Sequence, residues 1–416
     1  MLAKLKSTYL KFGYNLPLLI SFFLPFGINY AVFIFIWSIC FFSFDNVKQG
    51  FKTIFQNNWS FILIGFFILH VIGFFYSENK YESISAIEIK LCFLAFPVLF
   101  FASNYDNTQT KKIIISFVSG CILASFLCIF RAFYLYLFDD VNAFFYSDFS
   151  YFIHPSYMAM YLVFAQLIVI LFYKKWLSHL SFLNLKIGFI SSILLITIFL
   201  CSSKMGLITA LFIIPSTLGL QLFIKGYKKI ILGLFLALLG GITLTYKLLP
   251  TPFDRFKTAI NVTTSAKKID KTDAESTAVR ILIWKESMKI IKKHIWFGVS
   301  PANVNQELLT SYQQNGLTGA LAKRLNAHNQ FLETFIGTGI IGFLLLLLIT
   351  LFLIVYSFIK KNYILMLFSI LISLNFMVES MLQAQAGFTF FVFFLCVLLK
   401  YDLKKITKNL IIKTKI

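Results

Sequence analysis

The chain has 416 residues, 59% hydrophobic and 13% charged, with a mean hydropathy of +0.81. Soluble domains are about 45–50% apolar, so composition argues against a soluble globular protein, and continuous rather than alternating apolar runs argue against a membrane β-barrel. The net charge of +21 does not point to nucleic acid, because lysines gathered at the ends of apolar runs serve membrane topology.

The pattern predicts an all-α polytopic membrane protein with about twelve transmembrane helices. The predicted spans are 14–27, 29–45, 59–76, 86–103, 112–138, 156–173, 187–202, 205–224, 229–249, 331–358, 363–379 and 385–401. They group into a membrane domain at 1–249 with about nine spans, a large loop at 250–330, a second membrane domain at 331–401 with about three spans, and a basic tail at 402–416. Connections carrying Lys48 and Lys52, Lys111 and Lys112, Lys174 and Lys175, and Lys360 and Lys361 alternate with acidic, mixed or very short ones, such as those with Asp139, Asp140 and Asp148, or Glu379. By the positive-inside rule both termini are expected in the cytoplasm and the large loop on the outer side, which for a bacterial inner membrane is the periplasm.

The large loop breaks the charge pattern, for it is basic although outer. Long loops escape the topology rule, and a structureless segment of this length is uncommon. Residues 276–296 set Val279, Ile281, Ile283, Trp284, Met288, Ile290, Ile291 and Ile295 among lysines. That spacing predicts an amphipathic helix near the membrane surface. Asn303 to Tyr312 reads as a second short helix, and Thr263 to Thr277 as a polar linker.

Chemically useful residues gather late in this loop. His328-Asn329 opens the span near Phe331. An imidazole can act as a neutral base near working pH, with Asn329 or a neighbour orienting it, or the pair can simply cap a helix. Arg280 offers a permanently charged fork for phosphate, or is a solvated arginine beside Glu275 or Glu286. Lys204, in the short outer turn Cys201–Gly206, either faces a phosphorylated lipid or snorkels. His154-Pro155, before the sixth span, either lines a substrate path or starts a helix. Arg131 and His70 lie in apolar runs, where ionisable groups are costly and often functional; Arg131 can instead reach towards Asp139 and Asp140. Gly337, Gly339 and Gly342 allow close helix approach. No cysteine or histidine spacing suggests a metal, and no cofactor motif is present.

Together, Arg280 with Ile283-Trp284, Phe297-Gly298, the run His328-Asn329-Gln330-Phe331-Leu332-Glu333 and the glycines from Gly337 to Gly342 resemble the O-antigen ligase and O-antigen polymerase superfamily. The twelve-span layout with one large outer loop is similar too. The chain departs from the family pattern at Ser203-Lys204, where an arginine is usual, and at Gly298-Val299-Ser300. The resemblance implies transfer of a glycan from undecaprenyl diphosphate at the periplasmic face; Arg280 and Lys204 can stabilise the leaving diphosphate without a metal, and direct displacement inverts the anomeric centre. In a ligase the acceptor is a lipid A–core sugar; in a polymerase it is another lipid-linked glycan, and in related enzymes a protein hydroxyl. It implies His328 and Arg280 as catalytic residues and Lys204, His154 and Asn329 as substrate contacts; Arg131 is a further candidate contact as an ionisable group in an apolar run. The expected partners are donor, acceptor and membrane lipids, with no cofactor and no nucleic acid. A polysaccharide transporter is the reading from another class; the absence of an internal repeat weighs against it.

Overall fold

A long apolar run satisfies its backbone inside a bilayer only as a helix or a closed barrel. The computed structural model is helical, with no strand among the described residues. It describes residues 2–42, 54, 57–103, 105–176, 178, 181–224, 271–272 and 277–400. The predicted span at 229–249, the loop segment 250–270 and the tail at 402–416 lie outside them.

The helices are α1 (Leu2–Phe23), α2 (Ala31–Phe42), α3 (Asn58–Tyr76), α4 (Lys80–Lys90), α5 (Cys92–Ala102), α6 (Asn107–Phe138), α7 (Pro155–Ile168), α8 (Leu183–Leu200), α9 (Lys204–Ile224), α10 (Thr277–Lys293), α11 (Val304–Asn315), α12 (Gln330–Leu347), α13 (Leu353–Ile359), α14 (Tyr363–Phe376) and α15 (Gln385–Lys400). Several start where a side chain replaces a missing backbone acceptor. Asn57 accepts from Trp59 N–H, Asn79 from Glu82 N–H and Asn362 from Leu365 N–H. The cap at Asn79 starts a helix earlier than the predicted 86–103, and its apolar stretch runs through Lys80–Ala102. Among the described residues, six helices are long and apolar enough to cross a membrane, and further apolar helices are shorter.

The chain divides into two compact units. The first comprises Met1–Leu24, Ile28–Ser116 and Ile269–Ile416; the second comprises Pro25–Gly27 and Phe117–Lys268. In the first unit α5 packs between α3 and α15, and α12 packs on α3 and α10. Aromatic rings fill the space, with Phe93, Phe96 and Phe100 against Phe391 and Phe393. In the second unit α7, almost wholly buried, packs on α8 and α9.

The amphipathic stripe of 276–296 forms α10 as expected, but its apolar face is covered by protein. Val279, Ile283, Ile290 and Ile291 join Leu308 and Tyr312 of α11 and Ile336 of α12 in one buried cluster. The stripe builds a small helical core on the end of a membrane helix. Beyond it, Trp296 and Phe297 are exposed.

That core is fixed to α12 through a break in the helix. Gly339 has φ +64°, a left-handed value that L side chains rarely adopt. Segment 295–299 lies against the break: Ile340 N–H donates to the Ile295 carbonyl and Val299 N–H to the Ile336 carbonyl, each at 2.8 Å. A Cβ on Gly339 would lie 2.2 Å from the Trp296 carbonyl oxygen, and one on Gly298 would lie 2.4 Å from that of Ile336. The two glycines thus allow loop and helix backbones to touch and satisfy each other's polar groups. Gly339→Ala is expected to destabilise the protein by at least about 2 kcal/mol, read as a lower melting temperature in detergent. Gly188→Ala, in α8 with nothing within 4 Å of the added Cβ, should leave it unchanged.

Candidate functional site

The connection between α14 and α15 carries Met377, Val378 and Glu379, and three predicted residues meet there. Arg280 of α10 donates from Nη1 to the Val378 carbonyl at 3.0 Å, and its Nη2 lies 3.9 Å from Glu379 Oε2. His328 places Nδ1 3.5 Å from Glu379 Oε1. Asn329 donates from Nδ2 to the Met377 carbonyl at 3.0 Å. Arg280, His328 and Asn329 therefore converge on three consecutive residues. Each keeps partial exposure, with side-chain values of 35% for Arg280, 20% for His328 and 19% for Glu379.

Local structure fixes His328 in an unusual pose. Its φ is +45°, uncommon for a residue with a side chain. Its N–H donates to Asn326 Oδ1 at 3.0 Å. The preceding residue is held on both sides: Trp284 Nε1 donates to the Ala327 carbonyl at 3.0 Å, and Ala327 N–H donates to Glu333 Oε2 at 3.0 Å. The following residue, Asn329, caps α12 by accepting from Phe331 N–H and Leu332 N–H. Tyr312 donates to the Leu325 carbonyl at 3.1 Å, and burial raises its phenol above the usual range, which keeps it a neutral donor. The distance from His328 Nδ1 to Glu379 exceeds a hydrogen bond, so this buried nitrogen has no hydrogen-bond partner among the described residues. Catalytic contacts are often long before substrate arrives.

A second polar group lies deeper in the same unit. Glu333, 5% exposed, also accepts from Ser380 Oγ at 3.3 Å and from Gln383 Nε2 at 3.4 Å. Gln330 accepts from Leu382 N–H at 2.7 Å, and the buried Lys90 of α4 donates to the Leu382 carbonyl. His70 is buried in α3, with Nδ1 2.9 Å from the Phe66 carbonyl, and serves the packing there.

The other predicted contacts belong to the second unit. Lys204 is the first residue of α9, behind Ser203, whose hydroxyl accepts from Gly206 N–H. His154 caps α7, its Nδ1 accepting from Ser156 N–H at 3.4 Å with Pro155 in the first turn. Arg131 does not turn to Asp139 and Asp140 for its hydrogen bond. It donates to the Asp148 carbonyl at 2.7 Å, and its guanidinium lies 4.6 Å from the Tyr151 ring centroid. A backbone oxygen with a flat aromatic face suits a planar cation.

Glu379 had counted only as a topological charge. The signal available in sequence was a carboxylate at the end of a span, in a connection on the same side as His328.

Residues 189–347 match the family model Wzy_C, described as O-antigen ligase. This region belongs to the O-antigen ligase/polymerase superfamily. No curated protein gives a significant match. The matched region holds Lys204, Arg280, His328 and Asn329; His154, Arg131 and Glu379 lie outside it. The protein therefore joins apolar helices long enough to cross a membrane to a region, 189–347, of O-antigen ligase/polymerase type.

Trp284→Phe keeps the ring but removes the donor to Ala327. It is expected to cost about 1 kcal/mol of stability.

Proposed function

We propose that the chain is an inverting glycosyltransferase of the ligase type, moving a glycan from undecaprenyl diphosphate to a lipid A–core sugar hydroxyl. In this reading it sits in the bacterial inner membrane with about twelve spans, and the site faces the periplasm. The observation that carries it is the convergence of Arg280 and His328 on Glu379, in a chain whose residues 189–347 match the O-antigen ligase family model.

Each residue suits one demand of the reaction. The acceptor hydroxyl is a weak nucleophile, and a base that takes its proton as the new bond forms accelerates attack. With Nδ1 turned to Glu379, Nε2 of His328 is the nitrogen that receives the proton. The carboxylate orients the ring and stabilises the imidazolium. As the acceptor oxygen bonds to the anomeric carbon, the bond to the phosphate oxygen breaks and the lipid diphosphate leaves. Its charge is met by the Arg280 guanidinium, which has donors beyond the one given to Val378. A diphosphate is a good leaving group, so charge stabilisation matters more than a proton. A single displacement inverts the anomeric centre. Lys204 and His154 are proposed as substrate contacts on the resemblance, and Arg131 on its place in an apolar run, each open to its own alanine variant.

The test uses purified protein with undecaprenyl-diphosphate glycan and lipid A–core, in the presence of a chelator. Wild type should yield glycosylated lipid A–core. His328→Ala should lower the rate at least about 100-fold, and Arg280→Lys should lower it more than it weakens folding, because the fork is lost. Equal transfer by His328→Ala would overturn the assignment of the base. A lengthened lipid-linked glycan in place of the ligation product would make the enzyme a polymerase.

A further inference from the structure

We propose that Glu333 is a positioning residue, which with Lys90 and Gln330 holds His328 and Glu379 in register. The proposal rests on the glycosyl-transfer reading above. Its basis is that one buried carboxylate grips the immediate neighbours of both partners. Glu333 Oε2 accepts from Ala327 N–H, the residue before His328, and from Ser380 Oγ, the residue after Glu379. Its Oε1 accepts from Gln383 further along the same connection. Leu382 is tied at both ends, its N–H to Gln330 and its carbonyl to Lys90. The loop bearing the base and the loop bearing its carboxylate thus have a common anchor that touches neither functional group itself.

A carboxylate is a costly choice for packing alone. Burying one charge costs several kcal/mol unless hydrogen bonds and an opposite charge compensate. Here the hydrogen bonds from Ala327 N–H, Ser380 Oγ and Gln383 Nε2 offset part of that cost. The geometry held in this way is a demanding one. His328 sits at φ +45°, a backbone state that persists only when its surroundings over-determine it. A displacement of about 1 Å between base and substrate can cost about 100-fold in rate, so the anchor acts on turnover.

The experiment uses the full-length protein in nanodiscs, with the same donor and acceptor. It compares Glu333→Gln, Ser380→Ala, Glu379→Gln and the doubles Glu333→Gln/Glu379→Gln and Ser380→Ala/Glu379→Gln. Glutamine at 333 can keep one oxygen for Ala327 N–H and Ser380 Oγ, but it sets an N–H₂ against the Gln383 amide and removes the carboxylate charge. Expected are a kcat about 10- to 100-fold lower for Glu333→Gln, a donor KM within about threefold of wild type, and a smaller fall in kcat for Ser380→Ala. If Glu333 and Ser380 act through Glu379, adding either change to Glu379→Gln costs less than about threefold more. A merely structural role would multiply the losses in full, and that result, or an unchanged kcat for Glu333→Gln, overturns the proposal. Should Glu333→Gln elute as aggregate, the Ser380→Ala cycle decides on the same criterion. Absence of transfer by wild type overturns the glycosyl-transfer reading and this proposal with it. Transfer by wild type with multiplicative losses overturns this proposal alone.

Discussion

A carboxylate sealed inside a helical protein has to be matched group by group, and Glu333 shows what that requirement builds. It is 5% exposed, and its partners come from the connection before α12 and from the connection between α14 and α15. Neither connection can shift without stranding a buried charge, at a cost of several kcal/mol. Arg280, His328 and Asn329 then meet the held segment from two other directions. The site is therefore irregular backbone on a rigid support, a common arrangement for functional residues.

A second constraint works on the backbone. Helix α12 breaks at Gly339, and its polar groups near the break pair with residues 295–299. An opened helix within an apolar environment needs such partners. The small core of α10 and α11 is in this way continuous with α12 through hydrogen bonds as well as through Ile336. Arg280, which α10 carries, takes its position from that continuity.

Much of this was legible in the sequence, for stated reasons. Runs such as 59–76 and 112–138 fixed helices because length and hydropathy leave no alternative. Arg280 and His328 stood out because arginine and histidine are scarce in this chain and these two fall late in the large loop. The stripe on α10 told which face is apolar, but periodicity cannot tell what covers that face, and Leu308 and Ile336 cover it in place of lipid. Glu379 and Lys90 were less visible, because their roles depend on contacts across 51 to 292 positions of sequence. Glu333 was part of the motif, yet a carboxylate in the first turn of a helix has an ordinary explanation in the helix dipole. Only burial and three named donors give it a larger one. Gly298 and Gly339 read as packing glycines, and the reason is a shared backbone contact at positive φ.

The proposed mechanism turns on Arg280 meeting a diphosphate beside His328. The most direct measurement is a cryo-electron microscopy structure in nanodiscs with undecaprenyl diphosphate bound. The diphosphate is expected within hydrogen-bond distance of the Arg280 guanidinium, with the His328 ring still facing Glu379. A diphosphate bound elsewhere, with Arg280 committed wholly to Val378 and Glu379, would contradict it.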